Sequence, residues 1–434
     1  MKLPDEKAQL PSRILRVSSR DGGASLSVKL VETNGDRGRY CALSHCWGSP
    51  DKQPLRTLKE NITDHIATGI AWASLPKSFQ DAAILAYGIG IEYLWIDSLC
   101  IVQDDHEDWA REAPTMGELY HHASLVIAAA GARNSTEGVF VTNRPATAVL
   151  KLPWIRDGAV IGSFHLTGLS GDRQGPSYSI LRTRAWVFQE WRLARRLIFF
   201  MPGGISWKCR SREYDERGCR VDLGLMDDFS WEAFLTEYTA TQITYPSDRL
   251  IAVQGIVNDM RPTRDADCKY GVWDDDIARQ LLWVPADVLV EDMADLPSWS
   301  WASTQGKKYW AMESSENETS ATFLSTLGMT ESGAIEARGC RLKKAKTCKD
   351  PDEALFLEDL LDNPDSGLDD LDRVLADCDE ASWFLGRSEC QLLLDFEDEK
   401  TIVGIARFDN EDDYVLPVHC LSLVEVCLQT DEER

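Results

Sequence analysis

The sequence predicts an α/β fold whose first domain is built on a mostly parallel sheet. Short apolar runs at 40–46, 92–97 and 124–130 are typical of buried strands. Helical patterns fill the intervals between them, and this alternation indicates a parallel sheet covered by helices. We therefore expect the strand at 92–97 to lie inside the sheet, flanked by the strands at 40–46 and 124–130.

The N-terminal elements follow from alternation and from turn residues. Residues 14–32 alternate apolar and polar side chains around Asp21-Gly22-Gly23, which predicts two strands joined by a turn. Two helices are expected before the strand at 92–97. One spans about 57–70, and the other begins near Pro76 and stops at Gly88 or Gly90.

A further helix is predicted at about 106–121. Its apolar residues recur at intervals of four, three and four, namely Trp109, Ala113, Met116 and Tyr120. Pro114 has no N–H to bond the carbonyl of Ala110, so we expect a kink at this point. The periodic settings of Trp95, Trp109 and Trp186 predict that all three side chains are largely buried.

The patterns beyond residue 145 predict an α+β region and then a strand-rich part. Strands are expected at 148–166, a helix passing into a strand at 182–200, and helices at 231–260 and 276–284. Short strands follow near 391–396, 401–408 and 414–427. We divide the chain into an N-terminal β extension (1–39), an α/β core (40–145), an α+β region (146–303) and a strand-rich C-terminal region (304–434).

An acidic insertion interrupts the C-terminal region. Residues 350–380 hold thirteen Asp or Glu residues and one basic residue, Arg373. Charge blocks of this kind usually form solvated segments, so we expect an exposed insertion. The alternative is an acidic segment that docks a basic partner.

Composition narrows the class of function. The 434 residues carry a net charge of −25, which disfavours binding to nucleic acids and to anionic membranes. No apolar run reaches the roughly 18 residues of a transmembrane helix, and the N-terminus does not resemble a signal peptide. Twelve Cys without a CxxC pair favour reduced thiols over a zinc site. We expect a cytoplasmic protein with no metal and no resident cofactor.

The residues after the strand at 92–97 are the first candidates for chemistry. The strand ends at Asp97 and leads to a helix that carries Glu112. Carboxylates beyond strand ends are often ligand-binding or catalytic in α/β proteins. Asp104 and Asp105 could bind ribose hydroxyls or a metal, although capping of the next helix is favoured.

A thiol site is the other candidate. His45 with Cys46 or Cys100 provides the residue types of a nucleophile pair. The favoured reading of these thiols is small buried hydrophobes.

Four separated motifs resemble the fungal heterokaryon incompatibility (HET) domain family. They are YCALSHCWG at 40–48, the stretch from LPKSFQDAA to WIDSLCIVQDDHEDWAREA at 75–113, RAWVFQEWRLARR at 184–196, and LPSWSWAS at 296–303. The motifs keep the order of the family, and YPSDRLIAVQGI at 245–256 also fits it. The resemblance covers about residues 40–303.

The resemblance implies a fungal protein of non-self recognition whose activation triggers programmed cell death. It also implies a TIR-like, flavodoxin-like α/β fold for the HET domain. TIR enzymes hydrolyse NAD with a Glu in a Trp-Cys-x-x-Glu helix, so NAD is a candidate substrate. By this likeness Trp109-Ala110-Arg111-Glu112 marks Glu112 as the catalytic carboxylate, although the Cys is absent and the spacing is one residue shorter.

Ser44, Trp47, Asp97 and Trp109 are the matching candidates for substrate binding. A carboxylate beside the ribose would stabilise the positive charge that builds up when nicotinamide leaves. The alternative for Glu112 is a surface Glu that pairs with Arg111 or supports the helix start.

Two other functions stay open at this point. One is a non-enzymatic signalling module that acts by self-association, and the other is a regulatory HET protein encoded near a biosynthetic cluster. Expected partners are a second copy of the chain and an upstream recognition protein.

Overall fold

The computed structural model describes most of the chain up to Trp310 and, after it, separate short stretches that form strands. The described residues are 7–19, 25–140, 149–156, 158–167, 175–210, 212–216, 218, 220, 223, 230–281, 283–286, 296–297, 299–310, 321–323, 326–329, 335–338, 342–347, 390–395, 402–407, 418–421 and 424–426. The acidic segment 350–380 lies outside them. The chain forms two compact units, Met1–Asp265 and Ala266–Arg434.

The described part of the first unit is a mixed α/β structure. Its strands are β1 (Ala8–Gln9), β2 (Arg13–Ser19), β3 (Leu26–Glu32), β4 (Arg37–Gly38), β5 (Tyr40–Ser44), β6 (Tyr93–Trp95), β7 (Leu125–Ala128), β8 (Val149–Arg156), β9 (Ala159–Thr167), β10 (Arg196–Met201), β11 (Gly204–Cys209) and β12 (Arg212–Asp215). Its helices are α1 (Ile62–Ala67), α2 (Lys77–Gly88), α3 (Asp97–Cys100), α4 (His106–Glu112), α5 (Met116–His122), α6 (Ala185–Arg192), α7 (Trp231–Thr239) and α8 (Ile251–Arg264).

Eight strands form one sheet in the order β12-β11-β10-β7-β5-β6-β2-β3. The central strands β6, β5, β7 and β10 run parallel, whereas both flanks are antiparallel. The prediction of an α/β sheet is therefore confirmed, but the sheet as a whole is of mixed orientation. The prediction that it is mostly parallel was wrong, because hairpins extend both edges.

The strand β6 lies inside the sheet, as predicted, although one predicted neighbour was wrong. It pairs in parallel with β5, but its other neighbour is the N-terminal strand β2, with Leu15 opposite Leu94. The strand β7 pairs with β5 instead. The strand β2 can take this inner place because Ile14, Leu15 and Val17 are all buried.

Helices pack on both sides of the predicted kink at Pro114. Helix α4 ends at Glu112, a 3₁₀ turn spans Ala113–Thr115, and α5 begins at Met116. The break agrees with the missing N–H of Pro114. Asp105 is the N-cap of α4 and accepts a hydrogen bond from the backbone N–H of Glu107, which confirms the predicted cap.

The predicted burial of the three Trp residues is only partly correct. Trp95 is buried and lies edge-on to Tyr120, with 5.8 Å between the ring centres. Trp109 and Trp186 keep intermediate exposure. Helical spacing alone did not distinguish the fully buried face of each helix from the partly exposed border of that face.

The second unit is described as short pieces. They are β13 (Cys268–Lys269), β14 (Val272–Trp273), α9 (Ile277–Gln280), β15 (Trp283–Pro285), β16 (Lys308–Trp310), β17 (Ala321–Phe323), β18 (Thr326–Met329), β19 (Ile335–Arg338), β20 (Leu342–Thr347), β21 (Cys390–Asp395), β22 (Ile402–Arg407), β23 (Val418–Leu421) and β24 (Val424–Val426). The predicted helix at 276–284 was too long, because the chain turns into β15. Strands β20 to β23 form a four-stranded sheet.

Candidate functional site

A polar cluster lies at the carboxyl ends of the parallel strands. Ser44 is the last residue of β5, and His45 and Trp47 follow it. Asp97 begins α3, two residues after β6 ends. The chain places β6 on one side of β5 and β7 on the other, so the strand order reverses at β5. Open α/β sheets bind ligands at such a reversal, outside the carboxyl ends of the strands.

Asp97 joins the two strand ends through both of its carboxylate oxygens. Its Oδ1 lies 2.9 Å from Nε2 of His45 and accepts from the backbone N–H of Ser98 at 2.7 Å. Its Oδ2 accepts from the indole N–H of Trp47 at 2.7 Å. Burial acts to raise the pKa of Asp97, but the neighbouring His45 and Arg184 and the Trp47 hydrogen bond lower it below its usual value. Asp97 is therefore ionised at neutral pH.

His45 is held between two acceptors. Its Nε2 faces Asp97, and its Nδ1 lies 3.1 Å from the carbonyl oxygen of Cys46. Which nitrogen donates depends on the tautomer of the ring. The neighbouring His45 contributes to the lowered pKa of Asp97.

Helix α6 brings a second set of polar groups to the same edge. Arg184 precedes the helix, and its Nη1 donates to the carbonyl oxygen of His45. The indole N–H of Trp191 donates to the hydroxyl oxygen of Ser44 at 3.0 Å. These two hydrogen bonds fix α6 against the end of β5, and they place Glu190 close to Ser44 and Arg184.

Glu190 is a buried carboxyl of this cluster whose pKa is raised. Its side chain is buried, with 3% of the residue exposed, and its Oε2 has no hydrogen-bond partner among the described residues. Burial raises the pKa of Glu190 to about 7, against the opposing influence of Arg184 and the Ser44 hydroxyl. A carboxyl that titrates near neutral pH beside a strand-order reversal is a functional-site candidate on physical grounds.

The two thiols near this edge are poor nucleophiles. Burial raises the pKa of Cys46 to about 11 and that of Cys100 to about 12. The thiolate is the reactive form, so both groups are almost wholly protonated at neutral pH. The favoured reading of these residues as small buried hydrophobes agrees with this environment.

Residues 40–190 match the family model of heterokaryon incompatibility proteins (HET). The chain carries a HET domain. The match confirms the resemblance drawn from the sequence motifs, and its limits include every residue of the cluster except Trp191, which lies one residue beyond them. No curated protein and no solved structure is significantly similar to the chain.

Of the predicted site residues, the HET domain brings Ser44, Trp47 and Asp97 to one edge of the sheet. Trp47 and Asp97 are partly exposed and form an outer layer with Arg184. Ser44 is buried beneath them. The sequence pattern did not predict that His45, Arg184 and Glu190 lie together in the same cluster.

Glu112 lies in a different network, against the N-terminal strand. The hydroxyl of Ser12 donates to Oε1 of Glu112 at 2.6 Å, and Arg13 and Arg111 approach the same oxygen to 3.8 Å and 3.6 Å. Arg13 and Arg111 also pair with the buried carboxylate of Asp108. These contacts fasten β2 to α4, and none of them joins Glu112 to Asp97. A catalytic role for Glu112 stays a prediction.

Trp109 also lies apart from the contacts of Asp97. Its ring is tilted against that of His106, with 6.1 Å between their centres. Its role in substrate binding stays a prediction as well.

One sequence signal could have identified Glu190. Trp186 and Glu190 are four residues apart on α6, which is the spacing of Trp and Glu in the Trp-Cys-x-x-Glu helix used above for comparison. The pair at Trp109 and Glu112 is one residue shorter. We overlooked the second pair because α6 lies far along the chain from the strand that ends in Asp97.

Two further findings concern the described residues alone. Among them, no three His, Cys, Asp or Glu side chains come together as metal ligands. None of their helices is long and apolar enough to cross a membrane.

Proposed function

We propose that this chain acts in fungal heterokaryon incompatibility, where its activation leads to programmed cell death, and that its HET domain cleaves NAD at a TIR-like site. The observation that carries the chemistry is the buried carboxyl of Glu190, with its pKa raised to about 7 at the carboxyl edge of the parallel strands. We assign the catalytic role to Glu190 in preference to Glu112.

The strand order supports a TIR-like layout. Numbered along the chain, the four parallel strands β5, β6, β7 and β10 lie in the order second, first, third, fourth. This is the order of the first four strands in a flavodoxin-like sheet, whose ligands bind between the first and third strands. Helix α6 connects to β10 beside that position, and Glu190 lies on it.

The proposed reaction is hydrolysis of the bond between nicotinamide and ribose. The bonding electron pair leaves with nicotinamide, which leaves an oxocarbenium-like ribose. The ionised carboxylate of Glu190 stabilises this positive charge. Water then adds to the ribose carbon and releases a proton, and the products are ADP-ribose and nicotinamide.

The outer layer would position the substrate. Both carboxylate oxygens of Asp97 already accept hydrogen bonds, so we assign Asp97 to holding Trp47 and His45 rather than to binding ribose directly. Trp47 offers an aromatic ring for the nicotinamide, and Arg184 offers a cation for the diphosphate. Because Glu190 is buried beside Ser44 and Arg184, the substrate must displace part of this layer to reach it.

The test compares two carboxylates in one assay. Purified wild-type chain, Glu190→Gln and Glu112→Gln are incubated with NAD, and nicotinamide release is measured by chromatography. We expect Glu190→Gln to lose about a hundredfold or more in rate, because a directed charge is removed from a buried site. Glu112→Gln should keep most of the rate once its folding has been checked by circular dichroism.

The pH profile gives an independent readout of the same assignment. The active form is ionised Glu190, so the rate should rise as pH increases through about 7. Loss of activity in Glu112→Gln but not in Glu190→Gln would restore the role predicted from sequence. Cell killing by both variants, with no NAD consumed by any form, would favour the non-enzymatic signalling module.

A further inference from the structure

The hairpin of β8 and β9 exposes apolar side chains that nothing in the described chain covers. Val160 is 67% exposed, Ile161 53%, Ile155 58% and Trp154 59%. Within the described residues the two strands pair only with each other. A two-stranded ribbon is marginally stable alone, and it gains stability when a further strand or a packed surface joins it.

The two outer edges of this hairpin differ in their protection. Strand β8 contains Lys151 and Pro153, and such residues discourage a further strand from pairing with a free edge. Strand β9, with the sequence AVIGSFHLT, contains no Pro, Lys, Arg, Asp or Glu. Its edge therefore carries no Pro and no charged side chain, and the register shift at Ile161 is the one irregularity that the described strand shows. Its β-branched Val160 and Ile161 suit strand pairing.

The charges of this hairpin favour a second copy of the chain as its partner. The chain carries −25, so two copies repel each other over most of their surface. The β9 strand carries no acidic residue, and the exposed charged side chains of β8, Lys151 and Arg156, are basic. The hairpin is thus a place where two copies can approach without apposing carboxylates. Anionic membranes would still be repelled by the rest of the chain.

We propose that β9 pairs edge to edge with β9 of a second copy of this chain. The two strands run antiparallel about a two-fold axis, and the two hairpins become one four-stranded sheet. Each guarded β8 then forms an outer edge, which stops further growth. The contact is self-complementary, as a two-fold interface must be.

The experiment measures the mass of the full chain in solution by sedimentation equilibrium over a range of concentrations. We expect a monomer–dimer equilibrium that tightens between about 0.1 M and about 1 M salt, because salt screens the repulsion between two acidic chains. If Lys151 and Arg156 instead held the dimer together by binding an acidic surface of the second copy, the dimer would weaken as salt rises.

Two matched variants locate the contact. Ile161→Lys guards the free edge of β9, and we expect the dissociation constant of the dimer to rise about tenfold or more. Ile155→Lys adds the same charge to an equally exposed position on β8, and it should change the constant much less. Both side chains are exposed, so circular dichroism and the melting temperature should match the wild type.

Three outcomes would overturn the proposal. They are a monomer at every concentration and salt, equal weakening by both variants, and a dimer that weakens as salt rises. Co-flotation of the monomer with phosphatidylcholine vesicles would assign the hairpin to a lipid surface instead. The proposal does not depend on NAD cleavage, since mass is measured without substrate.

Discussion

At the scale of single residues, the environment of Glu190 has an energetic consequence. The pKa of its carboxyl is raised from 4.5 to about 7 by burial in the folded chain. Between these two pH values the folded state binds more protons than the unfolded state. The folded state is therefore penalised as pH rises, because ionised Glu190 loses its contact with water.

This penalty can be measured by removing the charge. Glu190→Gln should gain stability over the wild type as pH rises from about 5 to about 8, by on the order of 3 kcal/mol for a shift of this size. Well below pH 4.5 both states carry a neutral carboxyl, and the pH-dependent part of the difference should vanish. Chemical denaturation at several pH values gives the comparison.

The control for this prediction is Glu118→Gln, which changes an exposed carboxyl on α5. Its stability difference from the wild type should vary little over the same range. A Glu190→Gln curve parallel to that of the wild type would mean that Glu190 titrates as an exposed carboxyl does.

At the scale of elements, the position of α6 depends on two glycines in neighbouring helices. Gly117 of α5 lies against Gly255 of α8, and a Cβ added to Gly255 would be 2.8 Å from the Cα of Gly117. The same Cβ would be 2.7 Å from Oε1 of Gln189, the residue before Glu190. Three helices therefore meet where only hydrogen atoms fit between them.

We expect Gly255→Ala to destabilise the chain by about 1–3 kcal/mol, because a close-packed helix contact must open. The matched control is Gly88→Ala on α2, where an added Cβ meets nothing within 4 Å. That change should be neutral or slightly stabilising. Thermal unfolding measures both, and equal melting temperatures for the two variants would contradict the close contact.

The strands of the sheet show how much of the fold could be predicted from the sequence. The runs at 40–46, 92–97 and 124–130 were recognised because buried strands are apolar and short, and they became β5, β6 and β7. Their pairing was only half predicted. Periodicity reports which face of a strand is buried, but not which other strand lies beside it, so the place of β2 next to β6 was missed.

The proximity of Ser44, Trp47 and Asp97 could be predicted because each lies at or just after the end of a strand, and these ends share one edge of the sheet. Their role in substrate binding stays a prediction. Glu190 was missed because α6 returns to this edge after a long excursion of the chain. Only the folded structure shows that the indole N–H of Trp191 donates a hydrogen bond to the hydroxyl oxygen of Ser44.

At the scale of the whole first unit, one arginine joins its N-terminal hairpin to the HET domain. Arg13 of β2 pairs with Asp108 and approaches Glu112, and its Nε donates to the carbonyl of Cys100 at 2.8 Å. We expect Arg13→Met to destabilise the chain by about 3 kcal/mol, because two buried carboxylates lose a cation.

Arg16, also on β2, and Glu92, which precedes β6, form an exposed pair 3.6 Å apart that provides the control. Arg16→Met should cost less than about 1 kcal/mol, as exposed ion pairs usually do. Urea unfolding gives both values. Equal effects of the two variants would show that the Arg13 network is no stronger than a surface pair.

The place of β2 also sets the order of events during synthesis. Arg13 must find a partner 95 residues later in the chain, and Leu15 must find Leu94. The first hairpin can form as soon as it leaves the ribosome, but its inner edge stays unpaired until β6 emerges. Closing so long a loop is slow compared with local folding. During that interval the nascent chain exposes a free strand edge, and a chaperone that covers extended segments would find its site at β2.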